Sequence, residues 1–198
     1  MSKNKVVIAL TGAGISKSAG IPTFQEFPGI SEKLSINYKR SNPEDFSKVM
    51  SMLKSNCTGK TPTAAHLALA KYEIPIITMN VDGLHKAAKS KYILEIHGSF
   101  ENDDVVLYGQ QIHYAKESVE LINRLENFCK RYDVDGILLI IGTSMQTQFA
   151  NYLAMIAEDA GIKIKEINSN ADEEVENFLN ETFKIESKYQ KIFVSEID

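Results

Sequence analysis

The apolar residues of this chain fall in short runs separated by polar stretches. Residues 6–11 read VVIALT, a continuous apolar run without alternation. Such a run predicts a strand covered on both faces. Residues 74–80, 92–97, 136–141 and 162–167 read as further strands, with 136–141 the most hydrophobic. A brief additional strand is expected at 105–108. Between the strands the period becomes helical. Val119, Ile122, Leu125 and Phe128 share one face of a helix expected over 115–131. Asn42-Pro43-Glu44 predicts a helix start: a capping residue, proline at the first helical position, an acid in the first turn. Thr61-Pro62 predicts another start of the same kind, continued by Ala64, Ala65, Leu67, Ala68 and Ala70. Helices are also expected over 83–88, 149–160 and 172–179. Residues 25–40 read as loop or short helix, and 183–197 leave strand and helix both open.

Strands alternating with helices imply an α/β fold: a parallel sheet with helices on both faces. No repeat, low-complexity stretch or linker divides the chain, so 1–198 reads as a single domain with a smaller portion around 25–60. Composition narrows this only slightly. A charged fraction of 24% and an apolar fraction of 43% fit an ordinary soluble globular protein. The net charge of −4 offers no broad basic field for nucleic acid. No apolar run reaches membrane-spanning length, and the N-terminus lacks a secretory pattern, so no membrane association is expected. Cys57 and Cys129 are isolated, which suits reduced core thiols better than a disulfide framework or a zinc site. The expected compartment is cytoplasmic.

Candidate chemistry collects at the C-terminal ends of the expected strands: Thr11-Gly12, 80–82, His97 and 142–144. In an open parallel sheet, ligands bind at that edge. The glycines of Gly12-Ala13-Gly14 let a backbone approach closely and aim N–H groups at a phosphate pair. They equally suit a tight strand-to-helix turn with no ligand. The third glycine of the usual dinucleotide fingerprint is absent, Lys17 standing there, and no acid follows a second strand at the usual distance. Spacing alone leaves both readings open. His97 has the same ambiguity. Its imidazole titrates near neutrality, which suits a general base, but a histidine ending a strand can simply bond a carbonyl.

A wider pattern gives the order of these pieces meaning. GAGISKSAGIPTF resembles the signature of the sirtuins, the NAD-dependent protein deacylases. PTAAHLALAKYE, TMNVDGLHKAA, LEIHGSF, DDVVLYGQ, IGTSMQTQFA and EIN are similar to that family's later motifs, in the same order. The likeness runs from about residue 6 to 168. It implies a Rossmann-like fold, NAD as cofactor, and an acylated lysine protein or peptide as substrate. The implied products are nicotinamide, free lysine and an acyl-ADP-ribose, with a histidine taking a proton from a ribose hydroxyl. By the resemblance His97 is the catalytic base, while Asn80 and Asp82 line the nicotinamide pocket. Cofactor contacts are implied for Gly12, Ala13, Gly14, Ile15, Ile21, Phe24, Gln25, Asn80, Val81, Asp82, Gly142, Thr143, Ser144 and Asn168. The segment from Ile15 to Phe24 resembles the family's mobile cofactor loop. Val105, Val106, Leu107, Tyr108 and Gly109 resemble the substrate strand. His66, His85 and His113 read as structural or surface residues.

The chain also departs from the family. The sirtuins normally carry two cysteine pairs between the histidine motif and the valine-valine strand. Here the short stretch between His97 and Val105 has no cysteine. A reduced small lobe without a zinc ribbon, and no metal, are therefore expected. Gln25 stands in place of an arginine, Thr23 of an aspartate and Met79 of a glutamine. Losing the arginine removes a fixed cation beside the pyrophosphate. Two other outcomes of the same site remain open: an NAD glycohydrolase or ADP-ribosyl transferase, and a non-catalytic sensor that binds NAD or ADP-ribose.

Overall fold

The computed structural model describes residues 3–23, 26–144, 147–184 and 187–197. Five strands, β1 (Lys5–Thr11), β2 (Ile76–Thr78), β3 (Ile93–Glu95), β4 (Asp135–Ile141) and β5 (Lys163–Ile167), form one sheet in the order β3-β2-β1-β4-β5. All four pairings are parallel. The apolar run of β1 is covered on both faces, as its lack of alternation predicts. Val6, Ile8 and Leu10 enter one core, together with Leu138 and Ile140 of β4. Val7 and Ala9 enter the opposite core, with Ile137, Leu139 and Ile141.

The first of these cores is closed by α6 (Ala115–Tyr132), α7 (Gln148–Asp159) and α9 (Lys188–Ile197). Helix α6 buries Ile122, Leu125 and Phe128 of the stripe its sequence spacing predicts, adds Leu121, and leaves Val119 partly buried against the same core. The second core is closed by α4 (Ala64–Lys71) and α8 (Ala171–Thr182). The order therefore reverses at β1. The chain goes one way to β2 and β3, and the other way to β4 and β5. The crevice at the carboxyl ends of β1 and β4 is the place where such sheets bind ligands.

Residues 26–60 build a small helical unit from α1 (Ile30–Lys33), α2 (Ile36–Ser41) and α3 (Pro43–Cys57). Its own cluster joins Ile30, Leu34, Val49 and Leu53 to Phe100. A four-residue helix, α5 (Leu84–Ala87), follows β2.

Three expectations are corrected. Helix α4 starts two residues later than Thr61-Pro62 implied, because Thr63 is the cap. The Thr63 hydroxyl accepts from the His66 N–H at 3.4 Å, and the His66 ring returns to the Thr63 N–H at 3.3 Å. That reciprocal pair outweighs the proline signal. Residues 105–108 are not a strand of the sheet. They make an isolated bridge, Ser35 to Tyr108, and the Leu107 N–H is taken by the Gln110 side chain at 2.8 Å. Finally, His97 does not end a strand: β3 stops at Glu95 and His97 lies in the turn beyond it. Within 183–197, where the sequence leaves strand and helix both open, residues 188–197 form helix α9.

Candidate functional site

The edge of the sheet is stitched tightly. Met79 N–H donates to the Thr11 carbonyl and Gly12 N–H to the Ile141 carbonyl, both at 2.9 Å. Beyond these strand ends two loops touch backbone to backbone. Gly14 N–H donates to the Gly142 carbonyl at 2.8 Å. A Cβ on Gly14 would stand 2.6 Å from the Gly142 Cα, and one on Gly12 would stand 2.8 Å from the Gly142 oxygen. The structure thus adds a reason for the glycines that a bound dinucleotide alone does not give. Residues with side chains cannot bring the β1 and β4 loops this close. A 3-10 helix, Ala13–Ala19, follows, with Ile15 and Ser16 buried.

Ser16 ties the polar residues of the edge together. Its hydroxyl donates to the Asp82 carboxylate at 2.6 Å and accepts from Asn80 Nδ2 at 3.2 Å. Asn80 Nδ2 also donates to the Gly12 carbonyl at 3.2 Å. The second Asp82 oxygen accepts the Leu84 N–H at 2.9 Å, which closes the turn into α5. Both Asp82 oxygens are therefore engaged in holding the loop. The Asn80 amide oxygen has no hydrogen-bond partner among the described residues, so it is available to a ligand.

His97 is partly buried, and its Nδ1 lies 3.1 Å from the Met79 carbonyl. A carbonyl can only accept, so Nδ1 carries the proton and Nε2 holds a lone pair. Burial keeps this imidazole below the usual histidine range. The Met79 bond opposes that shift, and the nearby His113 adds to it. The ring is consequently neutral at pH 7, with one basic nitrogen in a fixed tautomer. These are the attributes a general base requires.

Two further histidines lie beneath the edge. Both His66 and His85 are buried, with ring centroids 4.6 Å apart. Burial pushes both below the ordinary histidine value. His66 Nε2 and His85 Nδ1 lack hydrogen-bond partners among the described residues. His85 Nε2 meets the Thr11 hydroxyl at 2.9 Å, and that hydroxyl donates to Thr78 at 2.8 Å. The reading of these histidines as structural agrees with this packing.

The remaining candidates are distributed as follows. Ile15 and Ile21 are buried and Val81 packs beside the small helical cluster. Thr143 N–H donates to the Asn168 side-chain oxygen at 3.2 Å, joining the loops after β4 and β5. Ser144 is exposed nearby. Phe24 and Gln25 lie outside the described residues. In the segment 105–109, Leu107 is buried, Tyr108 is 58% exposed, and Gly109 turns with φ of +90°. Thus Gly12, Gly14, Asn80, Asp82 and His97 converge on the carboxyl edge of β1 and β2, while Thr143 and Asn168 occupy the neighbouring ends of β4 and β5.

Sequence reasoning missed Ser16 as the hub, although it lies inside the glycine motif. It also missed Asp172, which accepts the Ala65 N–H at 3.0 Å and lies beside the Ser18 side chain. Nothing local in the sequence joins residue 172 to a loop near residue 18.

The Sir2 family model matches residues 12–131. The chain is 31% identical over 209 residues to the NAD-dependent protein deacylase of Leptospira interrogans serogroup Icterohaemorrhagiae serovar copenhageni, spanning 84% of this chain and 82% of that protein. It is 28% identical over 225 residues to NAD-dependent protein deacetylase 1 of Pyrobaculum aerophilum, spanning 90% and 84%. A Sir2 homologue solved in complex with NAD superposes with a TM-score of 0.76 at 22% identity, covering 92% of this chain and 90% of that one. Sir2 bound to acetylated peptide superposes with a TM-score of 0.74 at 21% identity, covering 89% and 92%. At these identities the structural likeness speaks for the fold.

Proposed function

The chain belongs to the Sir2 family, and from that premise we propose how its edge residues serve an NAD-dependent protein-lysine deacylase. The observation that carries the assignment of roles is the His97 turn. The imidazole is held in one tautomer against the Met79 carbonyl, and Asn80 follows on the same edge. The edge fits a dinucleotide: the Asn80 amide oxygen and His97 Nε2 have no partner among the described residues.

Bound NAD would supply the nicotinamide leaving group and the ribose that receives the acyl group. The chain's own groups do the rest. The turn of Gly12, Ala13, Gly14 and Ile15, in which the Gly12, Gly14 and Ile15 N–H groups are already taken by the Ile141, Gly142 and Gly12 carbonyls, would offer the phosphates a close, side-chain-poor surface, and Thr143, Ser144 and Asn168 would hold the phosphates and ribose. Asn80 would orient the carboxamide, its Nδ2 being fixed by Gly12 and Ser16. Asp82 would hold this pocket by bonding Ser16 and Leu84. Ile21, Phe24, Gln25 and Val81 would complete the cofactor wall. His97 Nε2 would accept the proton of a ribose hydroxyl. An acylated lysine would lie along Val105, Val106, Leu107, Tyr108 and Gly109. The substrate is thus an acylated protein or peptide, the class bound in the related structure with acetylated peptide.

The chain works without zinc in this reading. The support is the sequence itself, which has no cysteine between His97 and Val105 where the family normally has two pairs. The whole chain serves as one NAD-binding domain, with residues 25–60 as a reduced small lobe. A cytoplasmic location accords with two free cysteines, Cys57 and Cys129. The net charge of −4 gives no attraction for nucleic acid.

Nicotinamide release with and without an acyl-peptide tests the assignment. Release that needs the peptide is expected, together with a fall of roughly a hundred- to ten-thousand-fold in His97→Ala and an unchanged NAD affinity. Release without peptide indicates glycohydrolysis, and NAD binding with no release indicates a sensor. His97→Ala turning over at the parent rate would refute the role given to His97.

A further inference from the structure

Residues 98–104 form the loop that follows His97. After β3 the backbone must turn at His97, then return for Val106 N–H to donate to the His97 carbonyl at 2.9 Å. A second backbone bond, from His113 N–H to the Ile96 carbonyl at 2.9 Å, holds the residue before it. Backbone bonds of this kind do not by themselves select one loop shape. Asp104 supplies the side chain that does. Its Oδ1 accepts the N–H of the fully buried Ser99 at 2.8 Å. The Ser99 hydroxyl in turn accepts the Asn102 N–H at 3.2 Å. The Asp104 carbonyl oxygen lies 2.2 Å from where a Gly98 Cβ would stand, and Gly98 has φ of +69°. Only glycine fits there, and the loop closes directly against the residue that follows His97. The other Asp104 oxygen faces His113 Nδ1 at 3.9 Å.

We propose that Asp104 is a positioning residue for His97: its carboxylate clamps the 98–104 loop through Ser99 and so keeps the His97 ring on the Met79 carbonyl with Nε2 free. The proposal rests on the reading of His97 as the base. Its structural half stands apart from that reading, because the ring's tautomer can be observed without any reaction.

The test compares Asp104→Ala and Asp104→Asn in the full chain. Asparagine keeps an oxygen that can accept from Ser99 N–H, whereas alanine does not. The first readout is the His97 tautomer, from nitrogen chemical shifts of the ligand-free protein. The second is nicotinamide release with acyl-peptide at saturating NAD. In Asp104→Ala the single Nδ1–H tautomer is expected to give way to a mixture. The turnover number should fall roughly ten- to a hundred-fold, the scale of a small misplacement of a catalytic group, with NAD affinity kept. Asp104→Asn should restore both. A parent-like tautomer in Asp104→Ala overturns the proposal, and so does an Asp104→Asn variant as impaired as the alanine. If the parent releases no nicotinamide but its tautomer still responds as expected, the clamp stands and the deacylase reading falls.

Discussion

Gly142→Ala puts the strongest demand on the loop contact at the sheet edge. Gly142 has φ of +60°, and its Cβ would stand 2.3 Å from the Ile15 nitrogen and 2.6 Å from the Gly14 carbonyl carbon. Two costs follow. A left-handed conformation costs a residue with a Cβ about 1–2 kcal/mol. Forcing an extra carbon into a packed site costs about 1–3 kcal/mol more, because the atoms it meets are backbone and cannot swing aside. The total is about 2–5 kcal/mol. For a chain of this size each kcal/mol lowers the melting temperature by roughly 2–4 °C, so a loss of about 4–20 °C is expected. Gly14→Ala separates the two costs. Gly14 is not among the residues of positive φ, yet its Cβ would meet the Gly142 Cα at 2.6 Å. It should therefore destabilise less than Gly142→Ala. Thermal unfolding of the ligand-free proteins is the assay. A Gly142→Ala variant that melts with the parent would show that the two loops do not touch as described, and the glycines would then have only a ligand to account for them.

Acid should destabilise the protein well above the carboxylate range. Burial lowers the native values of His66, His85 and His97, so the unfolded chain binds more protons than the native one below about pH 6.5. Stability is then complete above that value and is lost as pH falls, by up to about 1.4 kcal/mol per pH unit for each histidine. Denaturant unfolding from pH 8 to 5 should show this slope, and a flat profile would contradict it. Gln190→Ala tests a different link. The buried Gln190 side chain accepts from Val7 N–H at 2.8 Å and donates to the Val7 carbonyl at 3.0 Å. Leaving both groups unpaired should cost about 2–6 kcal/mol, at 1–3 for each, and an unchanged denaturation midpoint would refute that accounting.

The local pattern alone established much of this protein. The continuous apolar run at β1 marked a strand buried on both faces, and the most hydrophobic run marked β4. The spacing of Ile122, Leu125 and Phe128 marked the buried stripe of α6, and the alternation of elements gave the class of fold. The order of the glycine, asparagine-aspartate and histidine motifs pointed to the family and to the sheet edge. These features are legible because period and turn chemistry act between near neighbours. Tertiary structure decided the rest, through partners distant along the chain. Gln190 completes β1 where the short β2 does not reach: β2 pairs with β1 only from Ala9 onward, and Val7 is left to a helix 183 residues away. Thr63, rather than Thr61, caps α4, and its hydroxyl also donates to the Ile15 carbonyl at 3.2 Å. Residues 105–108 have strand-like composition but no neighbouring strand to pair with among the described residues, so they run as a bridged segment. Gly14 and Gly142 read as two separate turns in sequence. Only the β1–β4 pairing brings them into backbone contact, where any side chain would collide.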